Sequence, residues 1–247
     1  MNYPSGAPKI TAAKNAARLF VDAARISDTF GIASFNGNNS ETDDDAVLDM
    51  ALITVTEPNR TTARNKINGI VASGWTSIGD GLDKARPQFA SGGPGEDWIV
   101  LLSDGMENEA KYWSTVANAI TTAGIRVNTI ALGPATDQAL LQQIANQSGG
   151  AYYYVDSSTY AARDARGASI DLALDSTSNA LADAYALANE RHRRHQRVGE
   201  WSSTVDGGVA STTFKVDAGG LRDALFSLNW PDGGGPMARW CSTATPA

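Results

Sequence analysis

The side chains best placed for chemistry lie at the end of an apolar run, Trp98-Ile-Val-Leu-Leu-Ser-Asp104-Gly-Met-Glu-Asn108. Ile99 to Leu102 reads as a strand buried on both faces. It stops abruptly at Ser103-Asp104-Gly105, where a parallel sheet opens at its carboxyl edge and where open α/β sheets bind ligands. Asp104 therefore has two readings, a ligand group at that edge or the N-cap of the next helix. A second group of hydroxyls, Thr76 and Ser77, sits in Ser73-Gly-Trp-Thr-Ser-Ile-Gly-Asp-Gly-Leu82.

Ser103 and Ser77 also raise the question of nucleophilic catalysis, which requires a base within hydrogen-bond reach. The histidines are His192 and His195, both in the basic cluster Arg191-His-Arg-Arg-His195 that closes a long helical stretch. No Gly-Xaa-Ser-Xaa-Gly or His-Glu-Xaa-Xaa-His pattern occurs. A hydrolase would need folding alone to assemble its Ser–His pair, so it stands as the alternative to a binding role. Three adjacent aspartates within Glu41–Asp45 lack the spaced ligands and glycine of a calcium loop and read as a solvated turn.

The composition is that of a globular chain: 247 residues, 42% hydrophobic and 19% charged, with a net charge of -7. That charge argues against nucleic acid as a general partner. The single cysteine, Cys241, excludes an internal disulfide. No apolar run approaches the roughly 20 residues that span a bilayer. Met1 to Gly6 has neither the basic region nor the apolar core of a signal peptide.

Strands and helices alternate, which predicts an α/β, Rossmann-like, mostly parallel sheet with helices on both faces. Pro8 opens an amphipathic helix with Ile10, Ala13, Ala17, Phe20 and Ala24 on one face and Lys9, Lys14 and Arg18 on the other side. Strands are expected over Asp28–Phe35, Met50–Thr56, Ile99–Leu102, Ile125–Leu132 and Ala151–Val155. Helices are expected over Asn59–Ala72 (opening under Thr61 and Thr62), Ile78–Phe89, Ala110–Thr122 and from Thr136 or Asp137 through Ala145. Further helix is expected around Ala161–Ala165 and Ile170–Asn189. The organisation reads as a first domain over 1–156, a helical connector over 157–199, and a small β-rich extension with a tail over 200–247. In the extension, Thr212–Val216 and Leu225–Trp230 read as strands. Trp201, Trp230 and Trp240 fill its core, or face a partner if the chain is a scaffold component.

Residues 1 to about 156 resemble a von Willebrand factor type A domain. The likeness rests on Thr76 within Gly-Trp-Thr-Ser-Ile-Gly-Asp-Gly-Leu, Asp104 within Leu-Leu-Ser-Asp-Gly-Met-Glu-Asn, Val127–Gly133 and the stretch Leu140–Tyr154. The later segment, ending in Phe-Ser-Leu-Asn-Trp-Pro-Asp-Gly, is similar to calcium-activated chloride channel regulators and their bacterial relatives. The resemblance implies an extracellular or cell-surface module that binds a protein ligand through Mg²⁺ (or Mn²⁺ or Ca²⁺) at the sheet's carboxyl edge, the metal-ion-dependent adhesion site. Thr76 matches the family's second-loop ligand and Asp104 its third-loop ligand. Ser5, Ser77, Ser103 and Glu107 are the flanking candidates for ligand contact.

The family's first loop, Asp-Xaa-Ser-Xaa-Ser, has no counterpart here, and Met1–Gly6 looks like the residues that follow it. Hard cations take about six oxygen ligands, so one hydroxyl and one carboxylate imply weak or absent metal binding. The family's first, central strand would be missing too, leaving Phe30–Phe35 and Ile99–Leu102 across a gap. Unpaired buried backbone groups cost about 1–3 kcal/mol each. The gap is therefore expected to be filled by a C-terminal strand, by a strand of a second chain (a homo-oligomer by strand exchange), or by direct pairing of its two walls. The function expected is non-catalytic protein binding.

Overall fold

A computed structural model describes residues 9–26, 28–38, 44–89, 96–155, 162–163, 169–170, 181 and 184–188. Helix α1 (Lys9–Ala23) leads into strands β1 (Thr29–Phe35) and β2 (Ala46–Thr54), then helix α2 (Glu57–Gly69). Helix α3 (Ile78–Ala85) ends in a 3₁₀ turn, Arg86–Gln88, and strand β3 (Trp98–Ser103) follows. Helix α4 (Trp113–Thr122), strand β4 (Arg126–Leu132), helix α5 (Gln138–Ser148) and strand β5 (Tyr152–Val155) complete the α/β unit. Two short strands, β6 (Ala162–Arg163) and β7 (Ser169–Ile170), extend the sheet.

The strands form two sheets. One is the antiparallel pair β1–β2; the other runs β3-β4-β5-β6-β7, parallel through β5 and antiparallel beyond it. Direct pairing of β1 with β3, one way to close the expected gap, is not formed. Among the described residues no strand lies between them, and the candidate insertions Thr212–Val216 and Leu225–Trp230 fall outside those residues. Helices join the two sheets instead. Ala12 and Ala16 of α1 pack with Ile130, Leu132 and Tyr153 on one face of the larger sheet, while Val21 of the same helix packs with Phe30 and Met50 of the smaller one. On the opposite face, Ile78 and Leu82 of α3 pack with Leu101 and Val127, and Phe35 of β1 leans on that cluster. Alternation along β3 sends Val100 and Leu102 to the first face and Ile99 and Leu101 to the second, as period two requires.

Several elements are shifted from the sequence reading, each for a local reason. Strand β2 starts at Ala46, four residues early, because Ala46 to Leu48 pair with Phe35 to Ala33. That pairing buries Asp45, the last residue of the supposed solvated acidic turn, which is 7% exposed. Helix α2 opens under Thr56, whose hydroxyl accepts from the Asn59 amide at 3.3 Å, with Pro58 in the first turn. Thr61 and Thr62 bond back to Glu57 and Pro58 carbonyls within the helix. Asp137, not Thr136, caps α5 by accepting from the Leu140 amide at 3.0 Å; Thr136 donates to the carbonyls that precede it. Within the helix expected around Ala161–Ala165, Ala162 and Arg163 form strand β6 instead, where pairing with the edge of β5 outweighs the helix propensity of alanine. Within the expected Ile170–Asn189 helix, residues 184–188 are helical, and Leu181, Ala184, Tyr185 and Ala188 cover the α1 face of the sheet.

Candidate functional site

The carboxyl ends of the strands carry the loop after β3, residues 104–112, and the loop before α3, residues 70–77. Backbone bonds lace the two together. The Thr76 amide donates to Asn108 Oδ1 at 2.7 Å, and the Thr76 carbonyl accepts from the amides of Asn108 and Glu109 at 3.1 and 3.3 Å. Gly105 lies so close that a Cβ there would meet the Thr76 hydroxyl at 3.0 Å. Thr76 and the Asp104 turn, far apart in sequence, thus form one surface.

Asp104 does not cap α4, which begins nine residues later. Its Oδ2 instead takes a hydrogen bond from Lys9 Nζ, at 3.3 Å. Both side chains are largely covered, at 11% and 17% exposure. Lys9 was expected on the solvent side of α1; its position in the first turn brings it to the sheet edge instead.

Glu107 is a joint between helices rather than a free ligand group. Its carboxylate accepts from the Gly79 amide in the first turn of α3 at 3.2 Å and from the Trp113 amide that opens α4 at 3.0 Å. Burial raises its pKa, opposed by those two amide bonds. Negative charge at two helix N-termini also suits both helix dipoles.

Ser77 and Ser103 are both buried. The Ser77 hydroxyl donates to Asp80 Oδ2 at 2.7 Å and also lies 3.1 Å from the Ala110 carbonyl; Ser103 Oγ stays within its own turn, 3.4 Å from the Gly105 amide. Neither hydroxyl presents an exposed contact, because the polar groups of the α3 and α4 entries need internal partners. Ser5, His192 and His195 lie outside the described residues.

Asp80, which the sequence reading passed over, organises this corner. Its Oδ2 accepts from Ser77 and from the Lys111 amide at 3.0 Å, while Lys111 Nζ reaches Oδ1 at 3.5 Å and Asp83 at 2.8 Å. These bonds hold 110–112 out of helical form, so α4 starts at Trp113 rather than Ala110. The spacing Ser77-Xaa-Xaa-Asp80 is the signal that could have found it, since a hydroxyl followed three residues later by an acid marks a helix start.

Lys111 lowers the Asp83 pKa, chiefly by hydrogen bonding, and Asp83 in turn raises that of Lys111. A depressed carboxyl pKa adds stability above its unfolded value, near 4, that is lost as pH falls through the folded value. A raised lysine pKa adds stability below its unfolded value that is lost as pH rises through the folded one. Asp83→Asn is therefore expected to lower Tm by about 1–2 °C at pH 7, allowing for solvent screening of a half-exposed lysine. The deficit should shrink when melts are repeated below pH 4. A deficit that stayed constant to pH 2 would refute the pairing.

A cleft of about 260 Å³ beside this corner is bounded by Asp44, Asp80, Asp83, Lys84 and Lys111 among others. Its charges pair with one another, Lys84 with Asp44 and Lys111 with Asp83.

A parallel sheet with helices on both faces and two loops meeting at its carboxyl edge is an open α/β architecture, the class in which ligands generally bind at that edge. The von Willebrand factor type A domain family matches residues 5–167, more than half the chain, and the chain belongs to that family. A von Willebrand factor type A protein from Catenulispora acidiphila superposes with a TM-score of 0.58 at 17% identity over 74% of this chain and 38% of its own. An aerotolerance-related membrane protein from Bacteroides fragilis gives 0.55 at 17% identity, covering 76% of this chain and 90% of its own. Proximal thread matrix protein 1 from the mussel byssus, solved with a zinc-occupied metal-ion-dependent adhesion site, gives 0.52 at 21% identity over 72% of this chain and 40% of its own. This chain thus spans about two fifths of the Catenulispora and mussel proteins. No curated protein matches it. No helix of the described residues is long and apolar enough to cross a membrane.

Of the ligand groups expected from the sequence, Thr76 and Asp104 come together at this edge. Among the described residues these two supply oxygen groups to a cation, with water or a ligand left to complete the shell of about six. No cluster of three or more acidic, histidine or cysteine side chains able to hold a metal occurs among the described residues. The Lys9 ammonium, moreover, already stands on Asp104.

Proposed function

We propose that this chain is a non-catalytic protein-binding module whose contact face is the surface around Thr76 and Asp104. The observation that carries this reading is the apolar rim of that surface. Trp75 is 48% exposed and Met106 54%, each next to a site residue in loops bonded to one another. Tyr112, 37% exposed, follows in the same loop. Tryptophan, tyrosine and methionine are the side chains enriched at protein contacts, and a large aromatic left open to water costs solvation that a partner recovers. The buried serines and internally paired cleft charges argue against the hydrolase alternative. A cell-surface or extracellular setting follows from the family resemblance and belongs to the same proposal, as do a first domain ending near residue 156 and a separate unit from about 200.

The test is quantitative capture from extracellular and membrane extracts with three baits: wild type, Trp75→Ser/Met106→Ser, and Ile26→Ser at the far end of α1. A partner held by wild type and Ile26→Ser but depleted at least tenfold by the double variant is the expected result. Recovery unaffected by the double variant would overturn this face as the contact surface.

A further inference from the structure

We infer that the Lys9 ammonium is the resident cation of this edge, taking at Asp104 the role that a divalent metal would take. This rests on the reading of the edge as the contact face only for its biological meaning; the chemistry at Asp104 stands by itself. Lys9 Nζ lies 3.3 Å from Asp104 Oδ2, and both side chains are more than four-fifths covered. A charged pair so enclosed persists because each charge compensates the other. The lysine is delivered by α1, whose Ala12 and Ala16 are 2% and 0% exposed against Ile130 and Leu132, so the helix that carries it is fixed by packing. Thr76, the other candidate metal ligand, is held beside Gly105 by the Asn108 side chain and by the Asn108 and Glu109 amides.

An ammonium and a divalent cation cannot occupy the same side of one carboxylate. A lysine also differs from a metal in having three donors and no need of a complete oxygen cage. With one hydrogen directed at Asp104, the others remain for an acceptor group. A partner recognised here through an acidic side chain would be bound without added metal, and chelators would not release it.

The test compares wild type, Lys9→Met, Lys9→Arg and Lys9→Met/Asp104→Asn by thermal melting in chelator, then in 5 mM Mg²⁺ or 1 mM Mn²⁺, with calorimetric titration of Mn²⁺. Wild type and Lys9→Arg are expected to melt at the same temperature in chelator and in metal, with no saturable Mn²⁺ heat. Lys9→Met should melt lower in chelator and gain about 2–4 °C in metal, and the double variant should lose that gain. Saturable, Asp104-dependent Mn²⁺ binding by wild type would overturn the inference. An equal metal response in wild type and Lys9→Met would overturn it too. If Lys9→Met does not fold, Lys9→Arg and the wild-type titration decide by themselves. Because no ligand is used, failure here leaves the capture experiment on Trp75 and Met106 independent.

Discussion

Gly79→Ala is expected to lower Tm by about 6–12 °C, a loss of about 3 kcal/mol. Gly79 sits in the first turn of α3, directly under the loop that follows β3. A Cβ there would lie 2.2 Å from the Lys111 carbonyl oxygen and 2.7 Å from the carbonyl carbons of Lys111 and Tyr112. Those are backbone atoms, and they have little room to give. The Lys111 amide is tied to Asp80, the Trp113 amide is tied to Glu107, and Glu107 also takes the Gly79 amide. Relieving the clash means parting α3 from the loop, which breaks those bonds and opens the site surface. The control is Gly69→Ala at the end of α2, where a Cβ meets nothing within 4 Å. There the change should stay within about 1 kcal/mol and tend toward stabilisation, since alanine restricts the unfolded chain. Circular dichroism melts of the two variants decide the matter. A Gly79→Ala protein that melts like wild type would show that this close approach is wrong.

Arg60→Ala should cost a comparable amount, about 2–4 kcal/mol. Arg60 in α2 is 7% exposed and sends its guanidinium to the end of α1, donating to the carbonyls of Val21 at 2.9 Å, Asp22 at 2.5 Å and Ala24 at 2.5 Å. The last carbonyls of a helix have no partner within it, and a cation there also meets the negative end of the helix dipole. Truncation removes both terms at once. Arg60→Lys should recover less than half of the loss, because a single ammonium cannot spread over three carbonyls as a planar guanidinium does. Urea unfolding reads this as a lowered midpoint at unchanged slope. Faster amide exchange confined to the last turn of α1 would locate the defect. An Arg60→Ala midpoint within error of wild type would refute the assigned role.

Both predictions concern residues that are silent in the sequence. A glycine in Ile-Gly-Asp-Gly-Leu gives no sign that its missing Cβ admits a carbonyl more than thirty residues away. An arginine in a polar helix reads as a solvent-facing charge until the helix end beneath it is in place. Lys9 belongs with them: periodicity assigns it to the wet side of α1, and only the arrival of α1 on the end of β3 turns it onto Asp104. Glu107 and Ser77 were visible as polar groups near the edge, yet their work for the helix starts could not be told from ligand contact, because the same acceptor chemistry serves both.

What the sequence determined by itself is the alternation of elements and the positions of β1, β3, β4 and β5 to within a residue or two. Those are local properties. Apolar runs must be buried, hydroxyls and acids break them at the sheet edge, and the spacing of the two loops follows from strand and helix lengths. The tertiary structure alone decided that β1 and β2 form a sheet of their own, that α1 and α3 bridge it to the larger one, and that an ammonium stands at Asp104. Pairing partners and buried charges are settled by which surfaces meet, and contacts between distant segments leave no period in the chain.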